Sequence, residues 1–211
     1  LHHFANLELY FLKPTDRNWN RYASLIQNEF ENQTHLEHAI SYFNRGSNTD
    51  AEKLLQRLNS SVGLDPISNI WLAFIVKDFQ MLANILANPV DFNHPFRRET
   101  IQALEWAATN SSDWKLKYYL GLNYWAKDRN EEALDLFNSL NYMPDSMPFY
   151  ISRAKLNDLY GKRGDVEKDL EKSILYAQDS WIAHLYVVQY YQENKMWKKA
   201  GSVSEKAYLK F

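Results

Sequence analysis

The spacing of one small side chain constrains this sequence more than any other feature. Ala133, Val166 and Ala200 are separated by 33 and 34 residues, and each is followed by apolar residues at helical intervals. A repeat of this length is long enough for two helices joined by a short turn. One such pair cannot bury its apolar face alone, so the spacing predicts helix pairs that stack and bury one another's faces.

Apolar residues three and four positions apart extend over nearly the whole chain, which predicts helices. Proline is costly inside a helix, and its positions at 14, 66, 89, 95, 144 and 148 mark predicted boundaries. No bounded run of alternating apolar and β-branched residues indicates a strand. The predicted helices cover 17–30, 34–45, 49–59, 67–76, 78–87, 97–109, 113–127, 130–140, 147–160, 164–177, 180–193 and 196–209. The sequence therefore predicts an all-α fold.

Charge and composition exclude several classes of protein. The 24 basic and 26 acidic residues are mixed along the chain and leave a net charge of −2, so no basic face for nucleic acid is expected. No apolar run reaches the roughly 18 residues that a membrane span needs, and no signal peptide is recognisable. Cysteine is absent, which excludes disulfides and thiolate metal sites. We expect a soluble protein, with the cytoplasm slightly favoured, and a fragment or processed product because the chain begins at Leu1.

The clearest copy of the repeat is YYLGLNYWAKDRNEEALDLF, in which Leu120, Gly121 and Tyr124 precede Ala133 and Phe137. Small residues let two helix axes approach closely, and the aromatic residue fills the space beside them. Further copies keep a small residue and an aromatic or turn residue at matching separations. They comprise Ala39, Tyr42, Gly46, Ala51, Leu55 and Leu58, then Tyr150, Ala154, Gly161, Val166, Leu170 and Ser173, then Tyr191, Ala200, Ser204 and Ala207.

In the copy that contains Tyr150 and Ser173, the turn has two candidate residues, Gly161 and Gly164. We prefer Gly161 because it preserves the spacing of 33 and 34 residues. Between the copies that contain Ala51 and Ala133, NIWLAFIVKDFQMLANILANP is expected to form one divergent hairpin and FRRETIQALEWAATN an additional helix.

These offsets resemble the consensus of the tetratricopeptide repeat (TPR) family, which has Leu-Gly and Tyr on a first helix and Ala-x3-Phe on a second. The resemblance implies a TPR-like α-α superhelix, a right-handed solenoid of antiparallel helix pairs, that acts as a non-catalytic protein-interaction or interdomain scaffold. We predict a single domain over 1–211, with an N-terminal segment at 1–16, first repeats at 17–60, an irregular middle at 61–112 and three regular repeats at 113–211.

A finer resemblance rests on HPFRRETIQALEWA, WKLKYYLGL, EEALDLF and PFYISRAKL in this order. Together they look like the C-terminal repeat region of large bacterial proteins in a family known only as a domain of unknown function, whose N-terminal part resembles mutarotase-like β-sandwiches. This resemblance implies an alternative function, in which the chain is an accessory helical region that contributes substrate contacts to a carbohydrate-active bacterial enzyme.

The TPR resemblance also implies a partner-binding groove, lined by first-helix residues at fixed offsets. The expected lining residues are Tyr118, Leu122, Trp125, Lys155, Asp158, Gln189 and Gln192. Of these, only Lys155 has the character of a carboxylate clamp, so we expect an apolar and aromatic groove. Its partner would be a protein or peptide, or the N-terminal domain of the same chain.

Other candidate sites are weaker. Arg97 and Arg98 lie at a predicted helix start, where an anion could bind, although a salt-bridged helix entrance is the favoured interpretation. His35 and His38 are three apart on one helix, but no third ligand is nearby and we expect no metal. No Gly-rich phosphate loop or nucleophile elbow occurs, so we expect neither a cofactor nor enzymatic activity.

The N-terminal segment LHHFANLELYFLKP is apolar yet precedes the first clear repeat. We expect its large side chains to form a seam to an upstream domain, and otherwise to fold back over the first helices or mediate self-association. These side chains are Phe4, Leu7, Leu9, Tyr10 and Leu12. A frayed terminus is the alternative.

Overall fold

A computed structural model describes residues 2–27, 30–90, 94–141, 144–177 and 180–211, and over these ranges it is helical without a strand. The helices are α1 (His2–Leu12), α2 (Asp16–Ala23), α3 (Glu31–Asn44), α4 (Asn48–Ser61), α5 (Pro66–Val76), α6 (Phe79–Leu86), α7 (Thr100–Asn110), α8 (Trp114–Trp125), α9 (Asn130–Ser139), α10 (Met147–Leu159), α11 (Arg163–Leu175), α12 (Ile182–Glu193) and α13 (Trp197–Lys210). The chain divides into two compact units, Leu1–Ala87 (unit 1) and Asn88–Phe211 (unit 2). Within the described part, none of the helices is both long and apolar enough to cross a membrane.

The four helix pairs that match the sequence repeat share one turn geometry: α3–α4, α8–α9, α10–α11 and α12–α13. Each turn has a residue in the left-handed region, with φ of 81° at Gly46, 59° at Asp128, 65° at Gly161 and 59° at Lys195. The next residue donates its N–H to the carbonyl five residues earlier, and these acceptors belong to Tyr42, Tyr124, Asn157 and Tyr191. This is the hydrogen-bond pattern of a helix end that reverses the chain. The predicted class, an all-α TPR-like array of antiparallel helix pairs, is confirmed.

The same geometry settles the third turn. Gly161 is the left-handed residue, whereas Gly164 lies inside α11. The preference for Gly161 is therefore confirmed, and the left-handed residues in the three regular hairpin turns of unit 2 recur at 128, 161 and 195 with the spacing of the sequence repeat.

The middle of the chain contains a hairpin of the same kind. Lys77 is left-handed with φ of 56°, and the Asp78 N–H donates to the Ala73 carbonyl across the α5–α6 turn. Pro66 begins α5, and the side chain of Asp65 accepts from two backbone N–H groups at that end. The divergent hairpin expected here is confirmed, and α7 is the additional helix.

The close contact that defines the repeat is visible in unit 2. Gly121 of α8 lies against the ring of Phe137 of α9, so near that a Cβ atom on Gly121 would lie 2.9 Å from Phe137 Cδ1. Phe137 is fully buried and its ring centroid is 5.6 Å from that of Phe149, which belongs to the next hairpin. One aromatic residue thus joins the two helices of a pair to the following pair.

The N-terminal segment forms a helix that sequence analysis did not predict. Leu7 of α1 is fully buried, and the ring centroid of Phe4 lies 5.8 Å from that of Tyr42 on α3. Tyr10 packs on Trp19 of α2, with 5.5 Å between ring centroids. Of the expected outcomes for this segment, folding back over the first helices is confirmed and a frayed terminus is wrong.

Two of the N-terminal apolar side chains that were expected to pack over the first helices are exposed. Leu9 is 37% exposed and Leu12 is 84% exposed, so neither belongs to the buried face of α1.

The helix expected at 17–30 is shorter than predicted and spans only Asp16–Ala23. The Thr15 side chain accepts the Asn18 N–H as an N-cap. Residues 28 and 29 of the expected helix lie outside the described ranges.

Candidate functional site

Three of the expected groove residues meet in a small cleft between α10 and α12. Lys155 and Asp158 come from one turn of α10, and Gln189 comes from α12. Residues three and four apart share a helix face, which is why these side chains converge when the two first helices lie side by side. We call this site the α10–α12 groove. It has a volume of about 100 Å³ and is also lined by Ala154, Val166, Leu170, Tyr186, Tyr190 and Glu193.

The walls of the α10–α12 groove are polar and its floor is apolar. The Lys155 Nζ atom lies 4.5 Å from the centroid of the Tyr186 ring, within the range of a cation–π contact. Burial lowers the pKa of Lys155, because the ammonium group loses hydration there. Burial, followed by the charge of Asp158, raises the pKa of Tyr190. A cation, a carboxylate and an aromatic ring therefore stand around a floor formed by Ala154 and other buried side chains.

Several polar groups at the groove have hydrogen-bonding capacity left. Across the described ranges, the side chains of Asp158, Gln189 and Gln192 make no hydrogen bond with the protein. Asp158 and Gln189 are both exposed within the groove, and Gln192 is exposed one turn further along α12. These groups can hydrogen-bond to a partner without breaking a contact inside the protein.

Tyr118 and Leu122 do not line the groove, which corrects their expected role. Tyr118 is fully buried and Leu122 is 3% exposed. The Tyr118 ring lies 5.8 Å from the Phe149 ring, because α10 covers this face of α8. The side chains at these two offsets therefore belong to the core of unit 2. Trp125 is half-buried at the end of α8.

Sequence analysis missed the groove residues Tyr186 and Glu193. Tyr186, Gln189 and Glu193 are separated by three and four residues, so a helix places them on one face. This spacing is the signal that could have found them. Leu185, the residue before Tyr186, is 42% exposed and is not among the groove residues.

Arg97 and Arg98 are exposed in the segment before α7, which begins at Thr100 rather than at the expected residue 97. The Asn123 side chain donates to the Arg97 carbonyl over 2.9 Å and fastens this segment to α8. The Arg97 guanidinium lies 5.4 Å from the centroid of the Phe96 ring. An anion contact at these arginines stays a prediction.

His35 and His38 are core residues of unit 1. The Nδ1 atom of His35 is 2.8 Å from the Glu31 carbonyl, and Nδ1 of His38 is 2.8 Å from the Tyr22 hydroxyl. Burial lowers the pKa of both histidines, that of His38 to about 4. Among the described residues, no group of three or more His, Cys, Asp or Glu side chains could hold a metal ion.

Comparison with known proteins gives structural likenesses only. No family model matches the chain, and no curated protein matches it. The chain is similar to the crystal structure of MamA, with 14% identity, coverage of 88% of this chain and 96% of that one, and a TM-score of 0.48. The thermophilic TPR protein TTC0263 of Thermus thermophilus is 16% identical, with coverage of 85% of this chain and 91% of that one and a TM-score of 0.48.

TPR-like repeats of a putative kinesin light chain of Podosopora anserina are 14% identical, with coverage of 84% of this chain and 92% of that one and a TM-score of 0.44. At TM-scores this low, none of these likenesses carries an argument about binding or activity. The finer resemblance to mutarotase-linked bacterial proteins finds no support among them.

Proposed function

We propose that this chain is a non-catalytic scaffold of helical hairpins whose α10–α12 groove binds a segment of a protein partner. The observation that carries the proposal is the convergence of Lys155, Asp158 and Gln189 in one cleft of unit 2. Their side chains present a cation, a carboxylate and a carboxamide above an apolar floor.

The size of the groove favours a peptide over a small metabolite. Its volume is about 100 Å³, whereas pockets for small molecules are typically about 300 to 1,000 Å³. A groove of this size suits one side chain of a peptide, with the neighbouring backbone groups held by the polar walls. The apolar floor favours an apolar side chain, and the walls can hydrogen-bond to peptide N–H and C=O groups.

The lining also favours binding over catalysis. The described lining residues include no serine, threonine, cysteine or histidine, so no serine, threonine or cysteine nucleophile stands beside an imidazole base there. Lys155 has a lowered pKa, but its Nζ atom lies over the Tyr186 ring, which stabilises a cation.

The test uses the full chain and a display library of random octapeptides. Peptides selected on the wild-type chain are measured by fluorescence anisotropy against Lys155→Ala and Gln189→Ala. Each change is expected to weaken binding by about tenfold, the equivalent of about 1.4 kcal/mol. Lys198→Ala, an exposed lysine of α13 outside the groove, is the matched control and should bind as the wild type does. Equal binding by the wild type and both groove variants, or selection of no peptide, contradicts the proposal.

A further inference from the structure

A larger cleft lies between the second helices α9 and α11. It has a volume of about 620 Å³. We call it the polar cleft. Arg153 and Asn157 of α10 contribute to it together with Asp169 of α11, and its remaining lining residues are Asn138, Asn141, Asp165, Lys168, Glu171, Lys172 and Leu175. Its lining shares no residue with that of the α10–α12 groove.

Counting residues from the left-handed turns shows that the base of the polar cleft departs from the repeat. Arg153, Asp169 and Asn157 lie eight residues before, eight after and four before the left-handed Gly161, and the same offsets from Asp128 and Lys195 give the matching positions of the two other regular hairpins of unit 2. Those positions hold Leu120, Leu136 and Tyr124 in the α8–α9 hairpin and Val187, Val203 and Tyr191 in the α12–α13 hairpin. Only the middle hairpin of unit 2 has three polar residues there.

The three polar residues form one buried network. Arg153 donates through Nε and Nη2 to the two carboxylate oxygens of Asp169, over 2.9 and 2.6 Å. Asn157 donates to the same carboxylate over 3.2 Å, and the side chains of Arg153 and Asp169 are 12% and 4% exposed. Replacing a buried ion pair with apolar residues of similar volume is often neutral or stabilising. A hairpin of this kind does not require the network, because the neighbouring hairpins have leucine or valine at two of these positions and tyrosine at the third.

The network and the opposite wall both retain hydrogen-bonding capacity. A guanidinium group has five N–H donors, and Arg153 uses two on Asp169 and one in a long contact of 3.5 Å to the Phe137 carbonyl. Across the cleft, the carboxamides of Asn138 and Asn141 make no hydrogen bond with any described residue. A carboxamide both donates and accepts, which matches the pattern of a peptide group.

The charge and shape of the polar cleft narrow the class of ligand. Its three cations and three anions balance, which disfavours phosphate and nucleic acid. Among the described lining residues, Leu175 is the only large apolar side chain and none is aromatic, which disfavours lipids and stacked sugars. Its α11 side extends from Asp165 to Leu175, roughly 15 Å at the helical rise. An extended peptide of about five residues has that length.

We propose that the polar cleft is a second binding site, which takes an extended peptide segment carrying charges of both signs. The carboxamides and Arg153 bind its backbone, and Lys168 and Glu171 face its charged side chains. This site is independent of the α10–α12 groove, and either proposal can fail without the other.

The comparison of the hairpins supplies the test variant. Arg153→Leu, Asp169→Leu and Asn157→Tyr together give the middle hairpin the residues of the α8–α9 hairpin, so this repacked chain is expected to fold. Random octapeptides selected on the wild-type chain are then sorted by binding to the repacked chain and to Lys155→Ala. The expected result is a class of mixed-charge peptides that bind the repacked chain about tenfold or more weakly and bind Lys155→Ala as they bind the wild type. Their addition to the wild-type chain should shift the amide resonances of Asn138 and Leu175.

Two exposed changes test the proposal without altering the core. Asn138→Ala and Glu171→Ala are each expected to weaken binding of the same peptides by about threefold, and they decide the matter if the repacked chain does not fold. The proposal is overturned if no selected peptide loses affinity for the cleft variants. It is also overturned if inorganic phosphate or a neutral oligosaccharide shifts the cleft resonances and no peptide does.

Discussion

At the scale of single residues, Gly121 sets the distance between two helices. A Cβ atom there would overlap the buried ring of Phe137, so even Gly121→Ala forces the helices or the ring to move. We expect this change to lower the free energy of unfolding by about 1 to 3 kcal/mol, measured by urea denaturation. Gly201→Ala is the matched control, because nothing lies within 4 Å of the added atom. In α13 alanine is the better helix former, so the control should be stabilising by about 0.5 to 1 kcal/mol. Equal effects of the two changes contradict the close contact.

At the turn residue Lys195 we expect glycine to be stabilising, the opposite of its effect inside a helix. It occupies the left-handed region with φ of 59°, where a side chain costs roughly 1 kcal/mol or more, and Gly161 holds the equivalent position one hairpin earlier. Lys195→Gly should therefore raise the melting temperature. Lys198→Gly, within α13, should lower it, because glycine weakens a helix interior by about 1 kcal/mol. The idea fails if Lys195→Gly is as destabilising as its control.

At the scale of elements, α1 is held to unit 1 by one face only. Leu7 is fully buried, whereas Leu12 is 84% exposed on the same helix. Leu7→Ala should lower the free energy of unfolding by about 2 to 5 kcal/mol, the usual cost of truncating a buried leucine. Leu12→Ala should change it by less than about 0.5 kcal/mol. Comparable losses in the two variants would mean that α1 does not pack as described.

Some of the helices and turns can be predicted from the sequence alone and others cannot. Spacing of small residues predicts the hairpins and their register, because close helix packing tolerates few residue types at these positions. It does not predict the left-handed turns at Lys77, Asp128 and Lys195, which lack the glycine that marks such turns. Phe4, Leu7 and Phe11 recur at three and four residues and could have predicted α1, but the LHH that stands before Phe4 contains none of the usual N-cap residues.

The two candidate sites also differ in how far the sequence alone predicts them. Lys155, Asp158 and Gln189 could be predicted from family offsets, since the exposed face of a repeat is regular. The polar cleft could not, because Arg153 and Asp169 are 16 residues apart and no motif links them. Only the paired helices bring them together.

At the scale of the whole molecule, both units contain buried histidines, His35 and His38 in unit 1 and His184 in unit 2. In unit 1, His38 lies against Tyr22 of α2 and against His3 and Phe4 of α1, with His35 and Glu37 on its own helix. Burial, and then the charges of His3 and His35, lower the pKa of His38 from 6.5 to about 4. Unit 2 has one buried histidine, His184, whose pKa is also lowered by burial and by Lys210.

The sign of the effect follows from proton binding. Between pH 6.5 and about 4 the unfolded chain protonates the histidine at position 38, whereas folded His38 stays neutral. The unfolded state then binds more protons, so the free energy of unfolding of unit 1 is highest above this window and falls as the pH is lowered through it. We expect a loss of about 1 to 3 kcal/mol from His38, measured by urea denaturation followed by NMR peaks of each unit. His38→Gln can keep a hydrogen bond to Tyr22 but cannot titrate, so it should reduce the pH dependence of unit 1, with the share of His35 remaining, and leave that of unit 2 unchanged. If the wild type and His38→Gln lose stability in parallel from pH 6.5 to 4, His38 is not the group responsible.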